Sequence, residues 1–236
     1  MIKFYFHPGP NPMKVALFLE ESGLPYEVVP VDILKGEQHW PDFLKINPNA
    51  KTPALVDGAA TVFDSNAILL YLAEKSGQFS PENTLVARGQ MLSWLMFVAT
   101  GIGPYSGQAV HFKRDAPEPK EYALNRYLYE AERHYGILNT QLATHRYMLG
   151  DTYTLVDMAV WGWTRLASFV IGENAWTTMP HLQRHLSEIS SRPAAKRAEA
   201  LKERLAFEPD LDAEGRKHIF PQNSRLRQPN TSDTSV

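Results

Sequence analysis

The chain has 236 residues, a formal net charge of −2 and no cysteine. This balance of charge does not favour a nucleic acid or an anionic membrane surface as a partner. The absence of cysteine excludes disulfides, thiolate metal sites and a cysteine nucleophile, so any thiol chemistry needs a thiol brought by a ligand. Because we find neither a basic-then-apolar leader nor an apolar run of transmembrane length, we expect a cytoplasmic protein without a membrane partner.

The chain begins with the signals of a β-α-β unit. Residues 2–6 form a short apolar and aromatic run that predicts a strand. Asn11 followed by Pro12 predicts the start of a helix, because Asn is a preferred N-cap and Pro suits the first helical turn. Gly23 predicts its end, and residues 26–31 predict a second strand. Such a unit is normally right-handed with parallel strands.

A hairpin and another helix follow. An apolar run after Pro53 stops at Asp57-Gly58, a strong signal for a hairpin turn, and residues 61–63 form the returning strand. Asp64 and Ser65 are both N-cap residue types and stand before apolar positions at helical spacing. A helix that begins with a carboxylate and a hydroxyl can hold small charged groups. The order β-α-β, then β-β-α, is the thioredoxin-like arrangement.

The rest of the chain lacks strand signals. We predict an N-terminal α/β domain over residues 1–77, a polar linker over 78–84 and an all-helical domain over 85–205. Residues 206–236 are polar and rich in Pro, Ser and Thr toward the end, which predicts a C-terminal extension that is partly extended or disordered.

Three helices are the clearest predictions in this second half. One covers residues 88–100 and is expected to break or kink at the glycines and proline of residues 101–107. A long one covers residues 120–145, where apolar residues recur in steps of three and four. Thr154 and Asp157 have the spacing of a capping box and predict the start of a third.

The motifs KTPALV, FDSNAILLYL, GDTYTLVDMAVWGW and SRPAAKRA together resemble those of a cytosolic glutathione transferase, over residues 1 to about 205. The segments YFHPGPNPMKVALFLEE and KGEQHWPDFLKINPNAK are most similar to the bacterial Nu-class enzymes, which include glutathione-dependent disulfide reductases. The resemblance implies a homodimer whose co-substrate is reduced or oxidised glutathione. It also implies that Pro53 is cis, that the Thr52 backbone pairs with the cysteinyl amide, and that Asp64 and Ser65 bind the γ-glutamyl end.

Asn11 is the candidate catalytic residue. As an N-cap it would satisfy the helix with its side-chain oxygen and direct its amide NH₂ outward as a donor. A thiolate placed there would gain a hydrogen bond and the positive end of the helix, and both lower a thiol pKa. The simpler alternative is that Asn11 only caps the helix. Nu-class relatives commonly carry threonine where this chain has Gly9, so no hydroxyl is available here, which weighs against conjugation more than against disulfide exchange.

The remaining candidates are weaker. By resemblance Gln38 and Arg126 are further glutathione contacts, with Arg126 reaching across the dimer; either could instead be a solvated surface residue. An acceptor site could be lined by Tyr105, His111 and Phe112, which could equally be packing residues. The eight histidines show no metal-ligand spacing. We therefore expect an enzyme for glutathione-dependent disulfide reduction or conjugation, with a non-catalytic binding or regulatory module as the alternative.

Overall fold

Four strands form one mixed sheet in the computed structural model, which describes residues 1–208 and 211–226. They are β1 (Ile2–Phe6), β2 (Tyr26–Pro30), β3 (Ala54–Asp57) and β4 (Ala60–Phe63). Their order is β2-β1-β3-β4, with β1 and β2 parallel and the other pairs antiparallel. The predicted thioredoxin-like arrangement is confirmed.

Three helices accompany this sheet: α1 (Pro10–Ser22), α2 (Pro41–Leu44) and α3 (Ser65–Ser76). The sequence analysis was wrong about the start of α1. Gly9, in extended conformation, occupies the cap position and Pro10 is the first helical residue, so Asn11 lies inside the first turn. Pro10 outcompetes the expected cap because its fixed φ already suits the helix and its missing N–H leaves nothing there to be capped.

The described residues from 85 onward are helical apart from their connections. The helices are α4 (Leu85–Phe97), α5 (Gly103–Val110), α6 (Glu121–Thr144), α7 (Leu155–Thr164), α8 (Ala167–Ile171), α9 (Ala175–Thr178), α10 (Pro180–Ser190), α11 (Pro193–Glu199), α12 (Leu201–Arg204) and α13 (Ala213–Ile219). The long helix α6 and the capping box at Thr154 and Asp157 agree with the sequence analysis.

The predicted break after residue 100 does not separate two helices. A π-helical segment, Val98–Ile102, joins α4 to α5, and a second one, His111–Asp115, follows α5. A widened turn accommodates Pro104, which has no N–H to donate, so the helical path continues. By length and mean hydropathy alone the resulting run of 31 residues could cross a membrane, which the sequence analysis did not anticipate, although an apolar core helix passes the same test.

The two parts of the chain pack together where α1 meets α7. Gly162 of α7 makes this contact possible: a Cβ there would lie 2.5 Å from the Pro10 carbonyl oxygen and 2.5 Å from Cγ of Lys14. Any larger residue would push the helices apart. The close approach brings the next residue of α7, Trp163, to the start of α1.

The described part of the C-terminal extension contains a helix and a turn. Asp212 caps α13 by accepting a hydrogen bond from the Gly215 amide, and the 3₁₀ turn Pro221–Arg225 follows. The carbonyl oxygen of His218 accepts hydrogen bonds from the side chains of Gln38 and His39 at 3.4 and 3.0 Å. These long-range contacts hold the segment against the N-terminal part, which its polar composition could not indicate. Residues 227–236 of the predicted extension lie outside the described residues.

Candidate functional site

Two helix N-termini and one loop surround a cavity of about 250 Å³. The helices are α1 and α3, and the loop is residues 47–53. The cavity is lined by Asn11, Asn47, Asn49, Lys51, Thr52, Pro53, Phe63, Asp64 and Ser65. Five of the residues singled out from the sequence, Asn11, Thr52, Pro53, Asp64 and Ser65, therefore lie together. We call this space the small cavity.

The side chain of Asn11 is fixed by a residue far away in sequence. The indole Nε1 of Trp163 donates a hydrogen bond to Asn11 Oδ1 at 3.0 Å. Because an indole nitrogen can only donate, this contact places the oxygen of Asn11 toward Trp163 and leaves its NH₂ group as a donor. The NH₂ group of Asn11 is therefore available as predicted, but for a different reason: the side-chain oxygen accepts from Trp163 instead of capping α1.

The loop before β3 is organised by Asn47, whose side chain is buried. Its Nδ2 donates to the Lys51 carbonyl oxygen at 2.5 Å and its Oδ1 accepts from the Asn49 amide at 3.0 Å. The peptide bond between Thr52 and Pro53 is cis, as the resemblance implied. No other described residue forms a backbone hydrogen bond with Thr52, so its amide and carbonyl are available to a peptide-like ligand.

The start of α3 is capped by Asp64. Its Oδ1 accepts from the amides of Asn66 and Ala67 at 2.8 and 3.2 Å, while φ at Asp64 is 70°. Asp64 is exposed and Ser65, the first helical residue, is buried. This terminus therefore presents a carboxylate and a hydroxyl beside the positive end of a helix dipole, an arrangement suited to a group with both an ammonium and a carboxylate.

Lys14 is a buried residue that the sequence analysis missed. Only 1% of it is exposed, and its Nζ donates to Ser65 Oγ at 3.3 Å and to Asn66 Oδ1 at 3.5 Å. Burial lowers the pKa of Lys14 to about 7, opposed by the nearby negative charge of Asp64. The sequence did carry a signal: this lysine lies three residues after Asn11, and its neighbours Met13 and residues 15–19 are all apolar.

A larger cavity of about 660 Å³ adjoins the small one and shares Asn49, Lys51 and Thr52 with it. Gln38 and His111 line it, together with residues 218–222 from the C-terminal extension. Gln38 is buried, and its Oε1 has no hydrogen-bond partner among the described residues. An unpaired buried carbonyl oxygen can accept a hydrogen bond from a ligand, so Gln38 is better placed for such a role than a solvated residue.

Three of the weaker candidates are not among the lining residues of either cavity. Arg126 is exposed on α6 and its Nη1 bonds Glu130 at 3.0 Å. Tyr105 packs against the His134 ring, at a centroid distance of 4.8 Å, and Phe112 stacks on Tyr127 at 5.4 Å. Tyr105 of α5 and Phe112 of the second π-helical segment thus both pack against α6. Their role in an acceptor site and the role of Arg126 across a dimer stay predictions.

A third cavity, of about 630 Å³, lies on the other side of the α1 terminus. Its lining includes Gly9, Pro10 and Met13 of that terminus, apolar residues such as Trp163 and Phe169, and the charged residues Arg114, Arg165, Glu199 and Lys202. Its lining is mostly apolar, in contrast to the small cavity. In the part of the chain that the structure describes, no group of three or more His, Asp or Glu side chains could hold a metal ion.

Comparisons with known proteins agree with this geometry. Residues 1–74 match the family described as glutathione S-transferase, N-terminal domain, and residues 95–193 match glutathione S-transferase, C-terminal domain. The chain is 40% identical over 212 residues to the disulfide-bond oxidoreductase YfcG of Escherichia coli strain K12, an alignment that covers 84% of this chain and 94% of that protein.

Solved structures give the same result. A glutathione transferase from Burkholderia graminis, with two glutathione molecules bound per subunit, aligns at a TM-score of 0.81 and 34% identity, covering 86% of this chain and 89% of that one. A glutathione transferase from Pseudomonas putida, with one glutathione disulfide bound per subunit, aligns at a TM-score of 0.78 and 33% identity. That alignment covers 84% of this chain and 90% of the other.

Proposed function

This chain belongs to the glutathione S-transferase family, and we propose that it binds glutathione in the small cavity and catalyses glutathione-dependent thiol-disulfide exchange. The observation that carries the proposal is the convergence of Asn11, Thr52 and Ser65 on one cavity. Each offers a group that a different part of the tripeptide needs. The names of the relatives above, which include a disulfide-bond oxidoreductase and proteins with bound glutathione or its disulfide, support the same reaction.

The tripeptide fits the cavity in one direction. Its γ-glutamyl ammonium and carboxylate suit Asp64 and Ser65 at the start of α3. Its cysteinyl amide suits the unpaired backbone of Thr52. The sulfur then lies toward the start of α1, where the NH₂ group of Asn11 and the helix dipole stabilise a thiolate.

The protein contributes no sulfur of its own, because the chain has no cysteine. In the first step a glutathione thiolate attacks one sulfur of the substrate disulfide; a mixed disulfide forms and a substrate thiolate leaves. In the second step the thiolate of another glutathione attacks the glutathione sulfur of that mixed disulfide, which gives glutathione disulfide and releases the second substrate thiolate. Positioning and thiolate stabilisation are therefore the whole contribution of the protein.

The larger cavity can accommodate the second glutathione or the substrate disulfide. It shares Thr52 and Lys51 with the small cavity and extends toward His111 and the C-terminal extension. Lys51 adds positive charge on the side where an anionic second glutathione would bind.

Conjugation of glutathione to an electrophile is the second candidate function. The observation that favours it is the third cavity, whose apolar lining begins at Gly9 and Pro10 beside Asn11. A hydrophobic electrophile bound there would lie near the thiolate. Gly9 supplies no hydroxyl to tune the sulfur, so we place conjugation behind disulfide exchange.

The decisive experiment measures both reactions with the same enzyme. We expect reduction of bis(2-hydroxyethyl) disulfide by glutathione to exceed conjugation of an aryl halide at equal enzyme concentration. Fast conjugation without detectable disulfide reduction would reverse the order of the two functions. If glutathione or its disulfide bound without either turnover, the chain would be a binding or regulatory module instead.

We also propose a homodimer, which agrees with the predominance of two-fold assemblies among soluble oligomers. Large apolar side chains are exposed on β4, α4 and α6: Phe63, Leu85, Val86, Met96, Tyr122 and Tyr129. Light scattering should give about twice the chain mass of 26.7 kDa. The cytoplasmic location stays a prediction.

A further inference from the structure

We propose that Lys14 is a positioning residue for the γ-glutamyl carboxylate: its buried side chain sets the direction of the Ser65 hydroxyl that receives this carboxylate. The inference rests on the proposed binding of glutathione and deepens it. Lys14 does not line the small cavity, so it would act through Ser65 rather than by touching the ligand.

The geometry places an ammonium directly behind the Ser65 hydroxyl. The stem of Lys14 lies against Gly162 of α7, and its Nζ lies 3.3 Å from Ser65 Oγ. A protonated lysine can only donate, so Ser65 Oγ accepts this hydrogen bond and its own proton must point elsewhere. Ser65 also lines the small cavity, where a ligand carboxylate can accept a hydrogen bond from that proton.

Lys14 forms no ion pair with the residues that the structure describes. Among the described residues, no carboxylate lies within 4.0 Å of its Nζ. A buried, unpaired ammonium is unfavourable, which is why burial lowers the pKa of Lys14 to about 7. A carboxylate arriving at Ser65 would compensate this charge and raise the pKa again, so ligand binding should draw in a proton.

The elements packed on α1 bring few other ionisable groups to Lys14. From α3 comes Asp64, whose negative charge opposes the effect of burial. Asp157 of α7 bonds His185, while on α11 Glu199 bonds Arg165, Arg197 bonds Glu20 and Lys196 is exposed. Protonation of Lys14 should therefore respond mainly to Asp64 and to the ligand.

Deprotonation would reverse the hydrogen bond. A neutral amine can accept from the Ser65 hydroxyl, which would then point inward, away from the ligand. The simpler reading is that Lys14 merely ties α1 to α3. Under that reading its replacement would affect folding and would weaken every glutathione-like ligand to the same extent.

The test combines a variant with a modified ligand. S-methylglutathione has no titrating thiol, and the analogue with 4-aminobutyryl in place of γ-glutamyl lacks the carboxylate. We expect Lys14→Met to weaken the binding of S-methylglutathione, measured by calorimetry, by about tenfold, which is the scale of one lost hydrogen bond to a charged group. Binding of the analogue should weaken by about twofold or less. Lys45→Met, which removes an exposed lysine bonded to Asp42, is the matched control and should change neither affinity. Equal losses for both ligands would overturn the proposal.

A second measurement needs only the wild-type protein, in case Lys14→Met does not fold. Calorimetry at pH 7.5 in buffers of different ionisation enthalpy should reveal net proton uptake when S-methylglutathione binds, and less uptake for the analogue. Binding without this difference would overturn the role of Lys14 while leaving the proposed function intact. A wild-type protein that binds neither glutathione nor S-methylglutathione would overturn the proposed function instead.

Stability gives an independent readout. Because the folded-state pKa of Lys14 is lowered from 10.5 to about 7, the unfolded chain binds more protons between these values. Raising the pH through this window should therefore stabilise the wild type relative to Lys14→Met. We expect the melting temperature of the wild type minus that of the variant, both measured without ligand, to increase from pH 6.5 to pH 9.5. A constant difference would contradict a buried ammonium that titrates in this window.

Discussion

The N-termini of α1 and α3 face the same cavity but are built in different ways. The α3 terminus is charged: Asp64 caps it with a carboxylate and Lys14 lies behind Ser65. The α1 terminus has no side-chain cap and presents the neutral amide of Asn11, oriented by Trp163. Each terminus is the positive end of its own helix dipole, so the difference between them lies in the side chains that the fold brings there.

This contrast separates binding from chemistry. In the proposed complex the charged groups at α3, Asp64 and Lys14, suit a γ-glutamyl group, whose own charges are the same before and after the reaction. A neutral donor at α1 suits a sulfur whose charge changes during exchange, because it stabilises the thiolate without holding it as tightly as a full charge would. Substitutions at α3 should thus change affinity, and substitutions at α1 should change turnover.

The largest effect is expected for Ser65→Ala. It removes the hydroxyl between Lys14 and the ligand carboxylate, a loss of about 1.5–3 kcal/mol, or roughly tenfold to a hundredfold in Kd for glutathione. The cap of α3 belongs to Asp64, so the expected loss of stability comes from the buried Lys14 ammonium, which loses the Ser65 oxygen that accepts its hydrogen bond. Calorimetry measures the affinity, with Ser93→Ala, an exposed serine of α4, as the control. Unchanged affinity would remove Ser65 from the binding site.

Asn11→Ala tests the other terminus. We expect disulfide reduction to slow by roughly tenfold or more in kcat, because one hydrogen bond to a charged sulfur is lost. The Kd for glutathione should rise less, since most contacts to the tripeptide lie elsewhere. The exposed Asn174 gives the control variant Asn174→Ala. A loss of affinity with normal kcat would break the separation between the two termini.

Asp64→Asn removes the charge and retains an oxygen that can cap α3. Because Asp64 is exposed and its charge is screened, we expect only a two- to fivefold increase in the Kd for glutathione, about 0.5–1 kcal/mol. Asp64→Ala should lose the same affinity and, in addition, about 1 kcal/mol of stability from the lost cap. Thermal unfolding beside calorimetry separates the two effects, and Asp42→Asn is an exposed control. Equal affinities for all variants would show that the ligand ammonium lies elsewhere.

The smallest effect is expected for Trp163→Phe, which removes the indole N–H that orients Asn11. The amide of Asn11 could then rotate, and we expect disulfide reduction to slow by about twofold, less than the loss of a net hydrogen bond to a charged group would cause. Trp161→Phe is the matched control: it removes an indole on the same helix that donates to Ser190 instead. Both variants should lose similar stability, but only Trp163→Phe should lose activity. An equal loss of activity would assign the effect to packing.

Much of the site was predictable because its signals are local. Each of these signals consists of neighbouring residues: the apolar run after Pro53, the turn at Asp57-Gly58 and the cap residues before α3. The family motifs add Asn11 and Thr52 to the same site. The start of α1 was predicted two residues late, since Asn11 and Pro10 compete as signals. The sequence left Tyr105 and Phe112 open between an acceptor site and packing, because it cannot show which side chains meet α6; in the structure both rings contact α6, and the acceptor role stays a prediction.

The sequence by itself determined the order of strands and helices and the need for a ligand that brings its own sulfur. Periodicity, caps and the absence of cysteine are local or compositional properties. Only the tertiary structure decided that Trp163 holds Asn11 from 152 positions away, that Lys14 is buried behind Ser65, and that the C-terminal extension contacts Gln38. These contacts join segments that are distant in sequence. Their partners are chosen by the packing of whole helices, through the close approach at Gly162, and no local pattern encodes that choice.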